Sequence, residues 1–222
     1  TTNQETQGAN SHGISDAWIF MDGRSLGVFE VPCKIPVLDE GEHNFIIFGG
    51  IKNNGISSTR IRYPFYNPYE VTASLALNDT LHLSPTITYK GETAFSFNED
   101  FEDAGIGFVK GPTSDTTMIF IDDEDIVQHG EKCGAIFLTA TDSVYTGSTA
   151  SFMDLPQAKD VFLELDYKNN NSLAMGVIAR YLDGSVNEHT PLIIMNPQTD
   201  GEEVWKKIYI DLKEDVSFDV GA

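Results

Sequence analysis

The chain has 222 residues, with 34 acidic against 14 basic side chains and a formal charge of −20. A polyanion repels nucleic acid and anionic membrane surfaces, so neither is expected as a partner. Hydrophobic content of 41% and aromatic content of 11% are enough for packed cores and exclude global disorder, and no apolar run reaches the roughly 18 residues that a membrane span needs.

The opening T-T-N-Q-E-T-Q-G-A-N-S is polar and small, which predicts a flexible leader over 1–12. No signal peptide is recognisable, and a mature exported protein begins in this way once its leader is removed. Ala17–Met21 is apolar and β-prone. Asp22-Gly23 follows, the dipeptide of a tight hairpin turn, and Leu26–Val31 returns. Pro32 and Pro36 bracket an edge-like segment, because proline cannot donate to a ladder. Glu40-Gly41-Glu42 is a turn and Phe45–Phe48 the next strand. Gly49–Ser58, with three glycines and two asparagines, reads as a loop. Tyr69–Leu77 alternates strictly, and Asn78-Asp79 turns the chain into Leu81–Tyr89.

The pattern breaks near Lys90–Thr93, where a boundary is placed. Strands resume at Phe95–Phe101, Thr117–Ile121, Ala135–Leu138, Val161–Tyr167, Leu173–Tyr181, Leu192–Met195 and Trp205–Leu212, with turn signals at Asp183-Gly184 and Asp200-Gly201. Strands at this spacing, with no helical period, predict an all-β chain: a small N-terminal β-sandwich over 13–91, then a jelly-roll β-sandwich over 92–222. Charge is uneven. Residues 1–95 hold 6 basic and 10 acidic side chains, a net of −4, and residues 96–222 hold 8 and 24, a net of −16. Such asymmetry suggests two units with different surfaces.

The first half resembles the PEGA-type and carboxypeptidase-regulatory-type sandwiches of bacterial surface proteins. The residues that carry this are Met21-Asp22-Gly23, Leu26-Gly27-Val28, Pro32, Pro36, Glu40-Gly41-Glu42-His43 and Asn44–Phe48. Asp16-Ala17-Trp18, Gly50–Ile56 and Tyr63-Pro64-Phe65-Tyr66 resemble surface lipoproteins of Bacteroidota-type bacteria. The second half, from Phe97–Glu102 to Trp205–Leu212, is similar to jelly rolls of the carbohydrate-binding-module kind. The resemblance implies an exported protein at the outer-membrane surface or in the periplasm, held by a lipid anchor upstream of this chain. Its attachment cysteine is not in the sequence. Jelly rolls of that kind also finish with a further acidic strand, which is not found before Ala222: either that strand is missing or the parallel is imperfect.

Glu99, Asp100, Glu102 and Asp103 flank a strand start, and Asp122–Asp125 crowd a loop. Two readings stand here, a solvated acidic face and a structural Ca²⁺ site. The resemblance implies the second, with Glu99, Asp100 and Glu102 as side-chain ligands. Tyr63, Phe65, Tyr66 and Tyr69 could stack on sugar faces but are expected in the core, as are Trp18 and Trp205. Cys33 and Cys133 are expected as two isolated, mostly buried thiols.

The histidines are isolated, with no H-E-x-x-H or H-x-H spacing, and Gly147–Ser151 is not a nucleophile elbow. No enzyme is expected. The expected function is a non-catalytic, cell-surface glycan-binding module, with Tyr145, Tyr167, Arg180, Tyr181 and Asn170 as the contact residues. The alternative is a structural or protein-interaction component of a surface assembly.

Overall fold

A computed structural model describes residues 7–218. Strand makes up 39% and helix 3%, so the all-β class holds. The chain divides into two compact units. The first combines residues 11–93 with 156–218, and the second holds 94–155 with residues 7–10. One boundary thus falls at Thr93/Ala94, beside the break in the sequence pattern. A second, at Leu155/Pro156, returns the chain to the first unit, so the stretch 92–222 is shared between both. Strand spacing locates strands but does not say which partners they take.

In the first unit, β1 (Asp16–Met21) pairs with β2 (Arg24–Glu30) and with the twelve-residue β3 (Gly41–Lys52). The sheet is completed by β4 (Arg60–Arg62) and β5 (Tyr69–Leu75), both antiparallel to β3. Alternation assigns its faces. Ala17, Ile19 and Ile47 are buried together, with Leu26, Phe29 and Tyr69 packed on them. Trp18 belongs to the other face, half-buried, with the Arg62 guanidinium 5.8 Å from its ring centroid. Expected as a core anchor, it is instead one wall of a cation–π contact, because it lies one residue out of phase with Ala17 and Ile19. Gly49–Lys52, read as loop, continues β3. Glycine at position 50 is required by packing, since a Cβ there would meet Trp18 Nε1 at 2.8 Å and Asp16 Cβ at 3.0 Å. Asp16 is 1% exposed, ion-paired to Arg60 and bonded by the Ser15 hydroxyl at 2.7 Å.

The C-terminal part of this unit forms two antiparallel strand pairs, one between strands distant in sequence and one a hairpin enclosed between them in the chain. β10 (Phe162–Tyr167) pairs with β13 (Lys206–Asp211), and β11 (Leu173–Arg180) with β12 (Val186–Met195). Pro191 sits in β12 opposite a register shift at Met175/Val177, a site where a missing donor is tolerated. Met195, Ile208 and Ile210 are buried together where these two strand pairs pack. A short helix, α1 (Lys213–Phe218), which no periodicity announces, closes the described chain. β13 is also stitched to the end of β3: Asn53 bridges Tyr209, and Asn54 N–H donates to Tyr209 O at 2.9 Å.

The second unit has two short antiparallel pairs, β6 (Phe108–Lys110) with β9 (Gly147–Thr149) and, between them in the chain, the hairpin of β7 (Met118–Ile121) with β8 (Cys133–Ile136). Phe97 and Phe101 pack on Phe108. Among its described residues only Cys133 is buried.

Two expected strands do not form. Leu81–Tyr89 runs through Pro85 without a ladder and is pinned at its end by Asn67 N–H to Thr88 O at 2.8 Å. Phe95–Phe101 is bent by Glu99, whose carboxylate accepts the Phe101 and Gly107 amides. The expected leader lies outside the described residues at 1–6, and Ser11 within it is fastened to Asp166 by a 2.7 Å bond. Cys33 is exposed rather than buried, because within Pro32–Pro36 only Ile35 packs against the sheet, and no disulfide joins Cys33 to Cys133.

The hairpin turn at Asp22-Gly23 forms as expected, with Met21 paired to Arg24 and φ of 48° and 77° at its two central residues. Nothing lies within 4 Å of a Cβ built on Gly23, so only backbone strain opposes substitution. Gly23→Val is expected to lower stability by about 1–2 kcal/mol. Thermal melts check this, and an unchanged midpoint contradicts it.

Candidate functional site

The densest group of titratable side chains lies inside the first unit, where β10 and β13 face the aromatic core. Period two places Glu164 and Asp166 of β10 opposite Tyr209 and Lys207 of β13. Lys207 Nζ is 2.9 Å from Glu164 Oε2 and 3.7 Å from Asp166 Oδ2, with its side chain 7% exposed. Tyr63 donates to Glu164 Oε1 at 2.8 Å, and Tyr89 reaches both oxygens, at 2.8 and 2.7 Å. The Tyr66 and Tyr209 hydroxyls are 2.9 Å apart, and Gly13 N–H donates to Tyr209 at 3.1 Å. Ser11 Oγ donates to Asp166 Oδ2 and lies 3.3 Å from Lys207 Nζ. Asp166 Oδ1 is buried with no partner among the described residues.

Tyr63, Tyr66 and Tyr209 are buried with Ile51, and Phe65, Tyr89 and Phe162 pack around them. Sugar stacking by Tyr63 or Tyr66 is closed off by this, and their core role holds. Burial, augmented by the Glu164 charge, pushes the phenols of Tyr63, Tyr66, Tyr89 and Tyr209 far above the ordinary tyrosine range. They therefore remain donors, as the carboxylate requires. The arrangement is a clasp: one carboxylate accepts two phenols and an ammonium, and each of these would be costly to bury alone. Sequence reasoning missed Glu164, Lys207 and Tyr209. The available signal was E-x-D on one strand and K-x-Y on another, charges at period two on faces that otherwise read as apolar.

The expected glycan residues are spread out. Tyr145 belongs to the second unit and the other four to the first. Tyr167 ends β10 half-buried, packed on Met195, Ile208 and Ile210, and burial raises its phenol. Arg180 and Tyr181 stand at the far end of β11 from Asn170, seven residues of strand away, on the order of 23 Å. Asn170 is joined instead to a second loop, through Nδ2 to Asp200 Oδ1 at 3.0 Å, both side chains exposed. Next to it, Asn169 donates to Asn171 O at 2.7 Å and to Asn196 O at 3.2 Å. Gln198 closes on Val204 through Nε2 to O at 3.0 Å and N to Oε1 at 3.1 Å. The β10–β11 and β12–β13 loops thus form one amide-rich end. Tyr167 and Asn170 come to this end, and Tyr145, Arg180 and Tyr181 do not.

No protein-family model, curated protein or solved structure matches the chain. Function is therefore read from the geometry of its own groups.

The carboxylates expected to hold Ca²⁺ serve the chain's own amides. Glu99 takes Phe101 and Gly107, Asp100 Oδ1 takes Glu102 N–H at 3.1 Å, and Glu102 Oε1 takes Glu131 and Lys132 N–H at 2.7 and 3.1 Å. Among the described residues no three His, Cys, Asp or Glu side chains gather as a metal-ligand group.

A phenol whose folded-state pKa is raised stabilises the fold below the unfolded value of about 10, and that stability is lost as pH rises above it. Of the eight tyrosines, Tyr63, Tyr66, Tyr89 and Tyr209 are thus expected to stay protonated until the first unit melts. Absorbance at the tyrosinate band should rise for them in a cooperative step that coincides with loss of near-ultraviolet circular dichroism. Smooth titration of all eight near pH 10 contradicts the clasp.

Proposed function

We propose that this protein is a non-catalytic module that recognises glycan at the amide-rich end of its first unit. The observation that carries the reading is the exposed Asn170–Asp200 pair joining two loops at the end of β10, where Tyr167 also stands. A sugar presents a rim of hydroxyls, each both donor and acceptor, and a less polar ring face. Amides and carboxylates supply both halves of such hydrogen bonds, and neither Asn170 nor Asp200 is exhausted by its single bond to the other. Location at the outer-membrane surface, with a lipid anchor upstream, is supported by the resemblance to Bacteroidota-type surface lipoproteins.

A shallow end of this kind buries little and competes with water, so affinity is expected on the order of 10–1000 μM. Calorimetry against a panel of neutral polysaccharides tests it. At least one should give saturable heat, weakened about tenfold or more in an Asn170→Ala, Asp200→Ala variant whose melt is unchanged. No heat above dilution across the panel defeats the reading.

A further inference from the structure

The second unit turns an unusual share of its apolar side chains outward. Phe137 is 58% exposed, Phe152 60%, Val109 53% and Ile119 44%, while burial reaches only Cys133 among its described residues. On the β7–β8 hairpin, Ile119 and Ala135 are paired on one face, and Phe137, just past the end of β8, continues the same alternation. Among the described residues β7 has β8 as its one strand partner, so its other edge can take an added strand.

Charge says what can cover this face. Residues 94–155 hold 12 acidic and 2 basic side chains, a net of −10, half the charge of the whole chain. The loop from β7 to β8 carries an open concavity of about 400 Å³ lined by Asp122, Glu124, Val127, Gly130 and Glu131. Those three carboxylates are exposed and do not gather as metal ligands. Val127 among three exposed carboxylates suits the methylene stem and cationic head of lysine or arginine. A second copy of this chain would bring −10 against −10, and anionic glycans and lipid surfaces are repelled in the same way.

We propose that the β7–β8 hairpin docks an extended, basic segment of a partner polypeptide. The segment adds as a strand to the hairpin edge. Its apolar residues meet Ile119, Ala135 and Phe137, and its alternate, basic residues meet the acidic loop. This surface is independent of the amide-rich end of the first unit.

The probe is a labelled decapeptide of alternating lysine and valine, followed by fluorescence anisotropy with the full chain. Alternating lysine and glycine, and alternating glutamate and valine, are the controls. Saturable binding is expected only for the lysine–valine peptide, weakening as salt rises from about 50 to about 500 mM. It should weaken about tenfold or more in Ile119→Ser, Phe137→Ser. Should that variant unfold, Asp122→Asn, Glu124→Gln, Glu131→Gln changes exposed groups alone, and it too must weaken binding without moving the melting temperature. Equal binding of the lysine–glycine peptide overturns the proposal, since charge alone then accounts for it. So does unchanged binding in the folded acidic-loop variant. Dimerisation by sedimentation that Phe137→Ser abolishes, or binding of a neutral polysaccharide that Phe137→Ser abolishes, assigns the face to another occupant and overturns it as well. The Asn170→Ala, Asp200→Ala variant should bind the peptide like the parent, which separates this test from that of glycan recognition.

Discussion

The first unit depends on the ion pair between Glu164 and Lys207 being complete. Lys207 is 7% and Glu164 18% exposed at the side chain. Withdrawing such groups from water costs several kcal/mol each, and only close mutual contact with full hydrogen bonding repays it. The structure provides this by converging residues from distant parts of the sequence: Tyr63 and Tyr89 on the carboxylate, Ser11 and Asp166 on the ammonium. Removing one member leaves the rest buried and unpaired, a cost of about 3–5 kcal/mol and a large part of the 5–15 kcal/mol that holds a typical domain folded.

The same constraint explains why residues 156–218 belong with 11–93. The sheet of β1–β5 has its own apolar face around Ala17, Ile19 and Ile47, but the aromatic group of Ile51, Tyr63 and Tyr66 needs Tyr209 to close it. Gly55 approaches Ile208 as closely as the absence of a Cβ permits, and Asp211 N–H donates to Asn54 at 2.8 Å. Apolar packing supplies most of the stabilisation here. The polar clasp sets the register in which that packing occurs.

Much of this was legible in the sequence where the cause is local. Asp22-Gly23 forms its turn because positive φ is cheap for those residues, and β1, β5, β10 and β11 follow their alternation. What failed depended on partners. Gly49–Lys52 reads as loop by composition, yet the glycines are there because Trp18 and Asp16 crowd the backbone. Leu81–Tyr89 has a strand's composition, but its pairing is confined to an isolated bridge of Tyr89 with Tyr66. Of the candidate site residues, Tyr167 and Asn170 come to one end of the unit, while Arg180 and Tyr181 lie at the other end of β11. The carboxylates of Glu99, Asp100 and Glu102 accept backbone amides of the loops around them.

The two units differ in surface chemistry, one amide-rich at one end and tightly cored, the other acidic with apolar side chains exposed. β1–β5 and the β10–β13 pair form a single cooperative body closed by Glu164. Native-state hydrogen exchange tests it most directly. Amides of β1 and β3 and those of β10 and β13 should open with the same free energy, and in Glu164→Ala both sets should fall together by about 3–5 kcal/mol. Protection of β1 and β3 that persists in that variant while β10 and β13 exchange freely would contradict it.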